Sequence, residues 1–405
     1  MSRAPTLDVL PDRRAPALAA ALLVALTAAL GVVRPTLAAD PRLGSGVEHT
    51  PPHVTRWSID DPPSRGWRSA PPRAPAPPSI TAEHAADFER ALDAGRIAAG
   101  VYGATFAVVR DGHVVWTGAS GVARDAVTPL TPEQPLVIGS VTKTFVAALI
   151  LELAEEGRLR LDEPVASVLP DAPGPATRPT IRQLLNHTAG LADVYNETTK
   201  AVLEGAPERV MTRDEVLAAW PGVWFEPGAD WGYSNANYLV LAMIAERLEQ
   251  AALEEAITRR FAGPMHLASV RVLDATDPEP GLSPAWRSVF WGSGAMAANA
   301  ADLARWGDAL YGGGFLESDT LAAMLAFNDH EHGLGVQRMT FGEHVGYGHS
   351  GLLGTTTSLL LHLPEADLTI AVLTNRSEVD LYGMLTLMAG GAPSLLDLAM
   401  RPPGS

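Results

Sequence analysis

Between Val141 and Ala154 the run Phe145-Val146-Ala147-Ala148-Leu149-Ile150-Leu151 is apolar on every side of a helix. That pattern predicts a helix buried all round rather than an amphipathic one lying on a surface. A second apolar stretch, Tyr238 to Arg247, follows the turn Glu226-Pro227-Gly228 and predicts another helix. A helix is also expected near Ala82 to Ala94. Elsewhere the pattern changes to that of strands. Ala104 to Val109 and His113 to Gly118 flank Asp111-Gly112, a hairpin signature, and Ser358 to Leu363 is expected to pair with Leu368 to Thr374. Strands at both ends of this region with helices between them predict an α+β fold. The expected form is an antiparallel sheet flanked by helices, with an all-helical lobe inserted at about 166–275.

Before that region the pattern carries no core. Arg13-Arg14, the apolar run Ala15 to Val33 and the small residues Thr36-Leu37-Ala38-Ala39 read as an export signal over residues 1–39. The apolar run is near the length of a membrane span, so an uncleaved N-terminal membrane tether is the alternative. Residues 40–80, with Pro51-Pro52, Pro62-Pro63 and Pro71-Pro72, read as a Pro-rich linker, which leaves 81–400 for the folded domain. The expected location is therefore extracellular or on the outer face of the cytoplasmic membrane.

Composition narrows the function classes. The chain has 405 residues, 47% of them hydrophobic, enough for a core larger than that of one ordinary domain. A net charge of −16 without a basic patch argues against nucleic acid as a partner. There is no cysteine, so disulfides and thiol nucleophiles are excluded. Of the 30 lysines and arginines only two, Lys143 and Lys200, are lysine.

Lys143 stands three residues after a serine, in Gly139-Ser140-Val141-Thr142-Lys143, where the first apolar helix begins. A cation in a first helical turn opposes the helix dipole, so as a structural choice it is poor. Arginine stays charged in proteins, whereas a buried lysine can lose its proton and serve as a base. Ser140 and Lys143, three apart, share one helical face and come within reach of each other. The bland alternative is that Ser140 only caps the helix. Two further segments present polar groups beside apolar elements. Trp231-Gly232-Tyr233-Ser234-Asn235 offers a phenol and an amide at a helix entrance, or simply a capped turn. Gly348-His349-Ser350-Gly351 leads into the strand-like run Thr355 to Leu363, and Gly351 allows close backbone approach.

Taken in order, Ser-x-x-Lys, Tyr-x-Asn and His-Ser-Gly resemble the three signatures of the penicillin-recognising serine hydrolases. That family holds D-alanyl-D-alanine carboxypeptidases, class C β-lactamases and related esterases. The segments Leu184-Leu-Asn-His-Thr-Ala-Gly-Leu191 and Ser293 to Trp306 are also similar to family segments. The resemblance covers about residues 81–377 and implies a β-lactamase/transpeptidase-like fold with its site in a cleft between lobes. It implies Ser140 as nucleophile, Lys143 and Tyr233 sharing its proton, and the backbone N–H groups of Ser140 and Leu352 as oxyanion donors. Asn235 would hold the substrate amide. His349, Ser350 and Gly351 would form the third wall, donating to a substrate carboxylate or to the Tyr233 network. Histidine where most β-lactamases carry lysine resembles a carboxypeptidase branch. The expected substrate is accordingly a small molecule or peptide, foremost acyl-D-Ala-D-Ala, with a β-lactam or an ester as alternatives and a non-catalytic wall-peptide sensor as a further one. Arg338 is the candidate for a terminal carboxylate, unless strand alternation turns it away and brings Gln337 in.

Nothing in the pattern calls for a cofactor, and oligomeric state is not legible. Asp329-His330-Glu331-His332 lacks metal-site spacing and is expected to be a solvated loop. Gly346 to Gly351 matches Gly-x-Gly-x-x-Gly but is followed by a strand, so no dinucleotide site is implied. No Gly-x-Ser-x-Gly elbow exists. His187 is expected to be a hydrogen-bonded structural histidine.

Overall fold

The computed structural model describes residues 82–277, 281–341, 344–381, 383 and 384. The expected signal or tether, the Pro-rich stretch and the chain beyond 384 lie outside the described residues. In chain order, helix α1 (Ala82–Ala98) leads into the hairpin β1 (Gly103–Arg110) and β2 (His113–Gly121). Strand β3 (Leu136–Val137) precedes a single turn, Gly139–Val141, and helix α2 (Thr142–Glu155). Then come α3 (Ile181–Leu185), α4 (Glu197–Gly205), α5 (Arg213–Ala218), α6 (Asn235–Glu249) and α7 (Leu253–Ile257). Strand β4 (Arg271–Val272), α8 (Pro284–Phe290), β5 (Met296–Ala298), α9 (Ala300–Tyr311) and α10 (Ser318–Met324) follow. The chain returns to strands with β6 (Gln337–Phe341), β7 (His344–Leu353), β8 (Thr356–Leu363) and β9 (Leu368–Thr374).

The main sheet has the order β2-β1-β9-β8-β7-β6, antiparallel throughout. N-terminal and C-terminal strands therefore meet at its centre, as the sequence pattern requires. Alternation sorts its side chains into two cores. Phe106, Val108, Leu359, Leu361, Ile370 and Val372 face α1, where Phe88 and Leu92 cover them. Ala107, Val109, Leu360, Ala371 and Leu373 face the larger core, which includes α2, α6 and α9. The helical insertion is present, and a small sheet β3-β5-β4 stitches it to the segment before α2.

Helix α2 is the pivot. Its residues Thr142 to Leu151 are all buried, as a helix apolar all round must be. Phe145 stacks on Trp306 of α9 at 4.1 Å between ring centroids, and Trp306 Nε1 donates to Thr144 Oγ1 at 2.9 Å. Each large apolar side chain so buried contributes about 1.5–3 kcal/mol. That anchoring holds the Ser140 turn rigidly against the sheet. Among the described residues no helix is long and apolar enough to cross a membrane.

The structure departs from the sequence pattern at β7. The His349-Ser350-Gly351 segment is itself strand, not the approach to one, and β8 follows after a turn at Gly354 (φ 58°). Its glycines hide the strand from any propensity reading. They are there because of close approach: a Cβ on Gly348 would fall 2.0 Å from Leu360 O, and one on Gly351 2.1 Å from Ile138 O.

Candidate active site

Ser140 sits in the Gly139–Val141 turn at the head of α2. Gly139 adopts φ 52°, in the left-handed region, and a Cβ there would lie 2.7 Å from Leu352 N and 3.0 Å from Gly351 C. The turn is thus pressed onto β7, which brings the backbone of Ser140 beside that of Leu352, the two expected oxyanion donors. Ser140 is not a cap: no side-chain cap bond forms at either the turn or α2.

Lys143 Nζ lies 3.0 Å from Ser140 Oγ, 2.8 Å from Asn235 Oδ1 and 2.7 Å from the Ser293 carbonyl. The amine is wholly buried, and burial brings its pKa down to about 7, with the Asp193 carboxylate acting against that shift. The environment therefore holds a lysine half-neutral at ordinary pH, as a proton acceptor needs. The Tyr233 phenol is hydrogen-bonded to Ser140, and burial pushes its pKa up, so it stays protonated. Of the two groups expected to share the serine proton, the environment of Lys143 suits a proton acceptor and that of Tyr233 a hydrogen-bond donor.

Helix α6 positions the second motif. Ser234 is its N-cap, accepting from Ala236 N at 3.2 Å, which leaves the Asn235 amide free for the site. Asn235 Nδ2 donates to Asp193 at 3.1 and 3.3 Å. His187 is buried beneath Tyr233 with ring centroids 4.3 Å apart, and its Nδ1 accepts from Ser234 N at 3.3 Å. Burial, reinforced by the Lys143 charge, holds it well below the usual histidine range. It is the structural histidine its setting in the sequence suggests.

The third motif is electrically neutral. His349 is buried, its pKa brought down to about 3 by burial and by the Lys143 charge, against the bond to the Ser350 carbonyl. Nδ1 lies 2.6 Å from that carbonyl, so Nδ1 carries the ring proton. Ser350 gives both its N–H and its hydroxyl proton to Gln337 Oε1, each at 3.1 Å. Gln337 Nε2 in turn meets His332 Nε2 at 3.3 Å, and His332 Nδ1 meets the His330 carbonyl at 2.7 Å.

Two expectations are corrected here. Arg338 does not join the site: it points to the other side of β6, half-exposed, with Nε 3.1 Å from Glu331 Oε2. Strand alternation puts Gln337 beside Ser350 instead. Nor is 329–332 wholly a solvated loop. His332 packs against Trp231 at 4.9 Å and Tyr233 at 6.0 Å, and Trp231 stacks on His330 at 4.6 Å. Among the described residues no group of acidic and histidine side chains could hold a metal ion. Asp193 and the Ser293 carbonyl were not legible as site groups. Asp193 has no spacing signal, and a carbonyl has no residue signal at all.

The Beta-lactamase family model matches residues 86–389, most of the chain and all of the residues just described. The chain belongs to that family, and it is a serine hydrolase of the β-lactamase fold. It is similar to the D-aminopeptidase of Brucella ovis, 29% identical over 223 residues, which is 50% of this chain and 42% of the relative. It therefore spans less than half the length of the curated relatives it matches. Among solved structures it resembles a D-stereospecific amidohydrolase from a Streptomyces species, 25% identical with a TM-score of 0.64 over 74% of this chain and 97% of the other. The D-amino acid amidase of Ochrobactrum anthropi SV3 shares the fold at 23% identity, with a TM-score of 0.65 over 77% of this chain and all of the other.

Proposed function

We propose that the chain cleaves amides of D-amino acids, as carboxamides or at the first bond of short peptides, through an acyl-enzyme on Ser140. The observation that carries this reading is the neutrality of the third motif. A carboxypeptidase must hold a carboxylate at the leaving end, and a charge-assisted bond of that kind contributes about 1.5–3 kcal/mol. Here the neutral His349 brings no charge, Arg338 is engaged with Glu331, and Ser350 spends its proton on Gln337. The Ser350 oxygen is left to accept, which suits an amide N–H better than an anion. The D configuration and amide class come from the relatives named above, and the apolar side chain of Leu352, 40% exposed beside the Ser140 turn, suits an apolar acyl group.

In the reaction, neutral Lys143 takes the Ser140 proton as Oγ bonds to the substrate carbonyl carbon. The oxyanion is held by the N–H groups of Ser140 and Leu352. Collapse breaks the C–N bond, with the leaving nitrogen taking a proton from Tyr233, which regains one from Lys143. Water then attacks the ester, its proton passing to Lys143; as the C–O bond to Ser140 breaks, Lys143 returns that proton to Ser140 Oγ, which restores the serine and the neutral amine and frees the acid. The signal-like segment at 1–39 supports placing this activity outside the cytoplasm or on a tether. The test compares D- and L-phenylalanine amide, acyl-D-Ala-D-Ala and a nitrophenyl ester, using wild type and Arg338→Ala. The D-amide should lead, and Arg338→Ala should change every rate by less than about threefold, as expected where no buried polar partner is lost. Preferred cleavage of acyl-D-Ala-D-Ala, with a loss of about tenfold or more in Arg338→Ala, would restore the carboxypeptidase reading.

A further inference from the structure

Asp193 lies on the loop after α3, outside all three motifs, yet its carboxylate acts on the Lys143 amine and its oxygens meet the amide that Lys143 is bonded to. The arithmetic of hydrogen bonds at Lys143 explains why it matters. A neutral amine has two N–H donors and one lone pair, and Nζ has three neighbours. Two of them, Asn235 Oδ1 at 2.8 Å and the Ser293 carbonyl at 2.7 Å, can only accept. Both N–H groups are then committed, and the lone pair is left facing the third neighbour, the Ser140 hydroxyl at 3.0 Å. This arrangement holds only while Asn235 presents oxygen to Lys143. Were the amide turned over, its NH2 would compete with Ser140 for the lone pair.

What fixes the amide is on its far side. Asn235 Nδ2 is 3.1 Å from Asp193 Oδ2 and 3.3 Å from Oδ1. Asp193 also accepts from Tyr195 N at 3.1 Å and from the Asn235 backbone N–H. Burial raises its carboxyl above the usual carboxylate range, while these N–H donors and the Lys143 charge act against that shift and favour the carboxylate, an acceptor that only the NH2 side of Asn235 can satisfy. We propose that Asp193 is a positioning residue: by holding Asn235 Nδ2 it keeps Asn235 Oδ1 on Lys143 and so aims the Lys143 lone pair at Ser140.

The groups facing Lys143 from every side are Ser140, Tyr233 and Asn235 at the α6 entrance, Tyr238 on α6, His187 and Asp193 on the α3 side, and His349 on β7. Burial keeps both histidines neutral and both tyrosines protonated, with His332 adding to the effect on the histidines. Asp193 is the charged group among them that supports the ammonium form.

The inference rests on Ser140 as nucleophile and Lys143 as base, so its readout is the rate at which a fluorophosphonate labels Ser140, which does not depend on substrate preference. Label that persists in Ser140→Ala would overturn the nucleophile assignment itself, separately from Asp193. With Ser140 labelled, Asp193→Leu should slow labelling about a hundredfold, the low end of what a placed base contributes. Asp193→Asn keeps an acceptor carbonyl and should recover to within about tenfold of wild type. Its acid limb should move to lower pH, because the lost anion no longer favours the Lys143 ammonium. In an Asn235→Ala background, Asp193→Leu should add less than about threefold. Wild-type labelling in Asp193→Leu, an equally large loss without Asn235, or an unmoved limb in Asp193→Asn would each overturn the proposal. Should Asp193→Leu fail to fold, the limb of the near-isosteric Asp193→Asn decides alone.

Discussion

Gly139→Ala tests how the oxyanion hole is built. At φ 52° the new methyl group imposes a left-handed conformation on an L-residue, which costs about 1–2 kcal/mol. It would also sit 2.7 Å from Leu352 N and 3.0 Å from Gly351 C, both backbone atoms that cannot swing aside. The turn and β7 must separate, which takes one oxyanion N–H out of range of the other. Loss of one such donor costs about 10²–10³ in kcat, or about 2.7–4 kcal/mol. The control is Gly157→Ala at the far end of α2, where φ is 73° and nothing lies within 4 Å of the added atom. Both variants should lose comparable stability from the backbone term, but only Gly139→Ala should lose kcat on that scale. Thermal melting together with pre-steady-state acylation by a nitrophenyl ester reads both quantities. Equal kcat in the two variants would refute the idea that the Ser140 turn and β7 are mated to form the oxyanion site.

Other outcomes follow from the same geometry. Lys143→Arg should reduce acylation by about 10²–10⁴, because a guanidinium cannot take the serine proton, while its circular dichroism spectrum stays native; near wild-type turnover would remove Lys143 as base. Since the base works unprotonated and its pKa lies at about 7, kcat/KM should fall as pH drops through about 7, and an acid limb near 5 would assign the titration elsewhere. Phe145→Ala, which empties the stack on Trp306, should destabilise by about 3–5 kcal/mol in denaturant titration, and a loss below about 1 kcal/mol would mean that α2 is not the anchor of the site. Gly351→Ala should lose at least about 1–3 kcal/mol, because its Cβ would meet Ile138 O at 2.1 Å, and an unchanged melting temperature would contradict that close packing.

Sequence made some of this visible because the signals were local. Ser140 and Lys143 lie within one turn of a helix whose apolar surface announces burial, and burial is what lowers the lysine. Tyr233 and Asn235 flank the serine that caps α6, so their placement follows from a helix start. The hairpins were legible from alternation and Asp111-Gly112. Glycine-rich β7 was not, because its backbone contacts, not its propensities, make it a strand. The face of β6 was undecidable from the chain, since a shift of one residue exchanges Gln337 for Arg338. Asp193, the Ser293 carbonyl and His332 reach the site only through tertiary packing, and no spacing along the chain encodes them.

The central claim is a covalent D-aminoacyl ester on Ser140. Its most direct test is acid quenching of the enzyme during turnover of D-phenylalanine amide, followed by peptide mapping by mass spectrometry. The proposed function predicts one added D-phenylalanyl group, confined to the peptide carrying Ser140 and absent in Ser140→Ala. Turnover without an adduct, or an adduct that persists in Ser140→Ala, would contradict it.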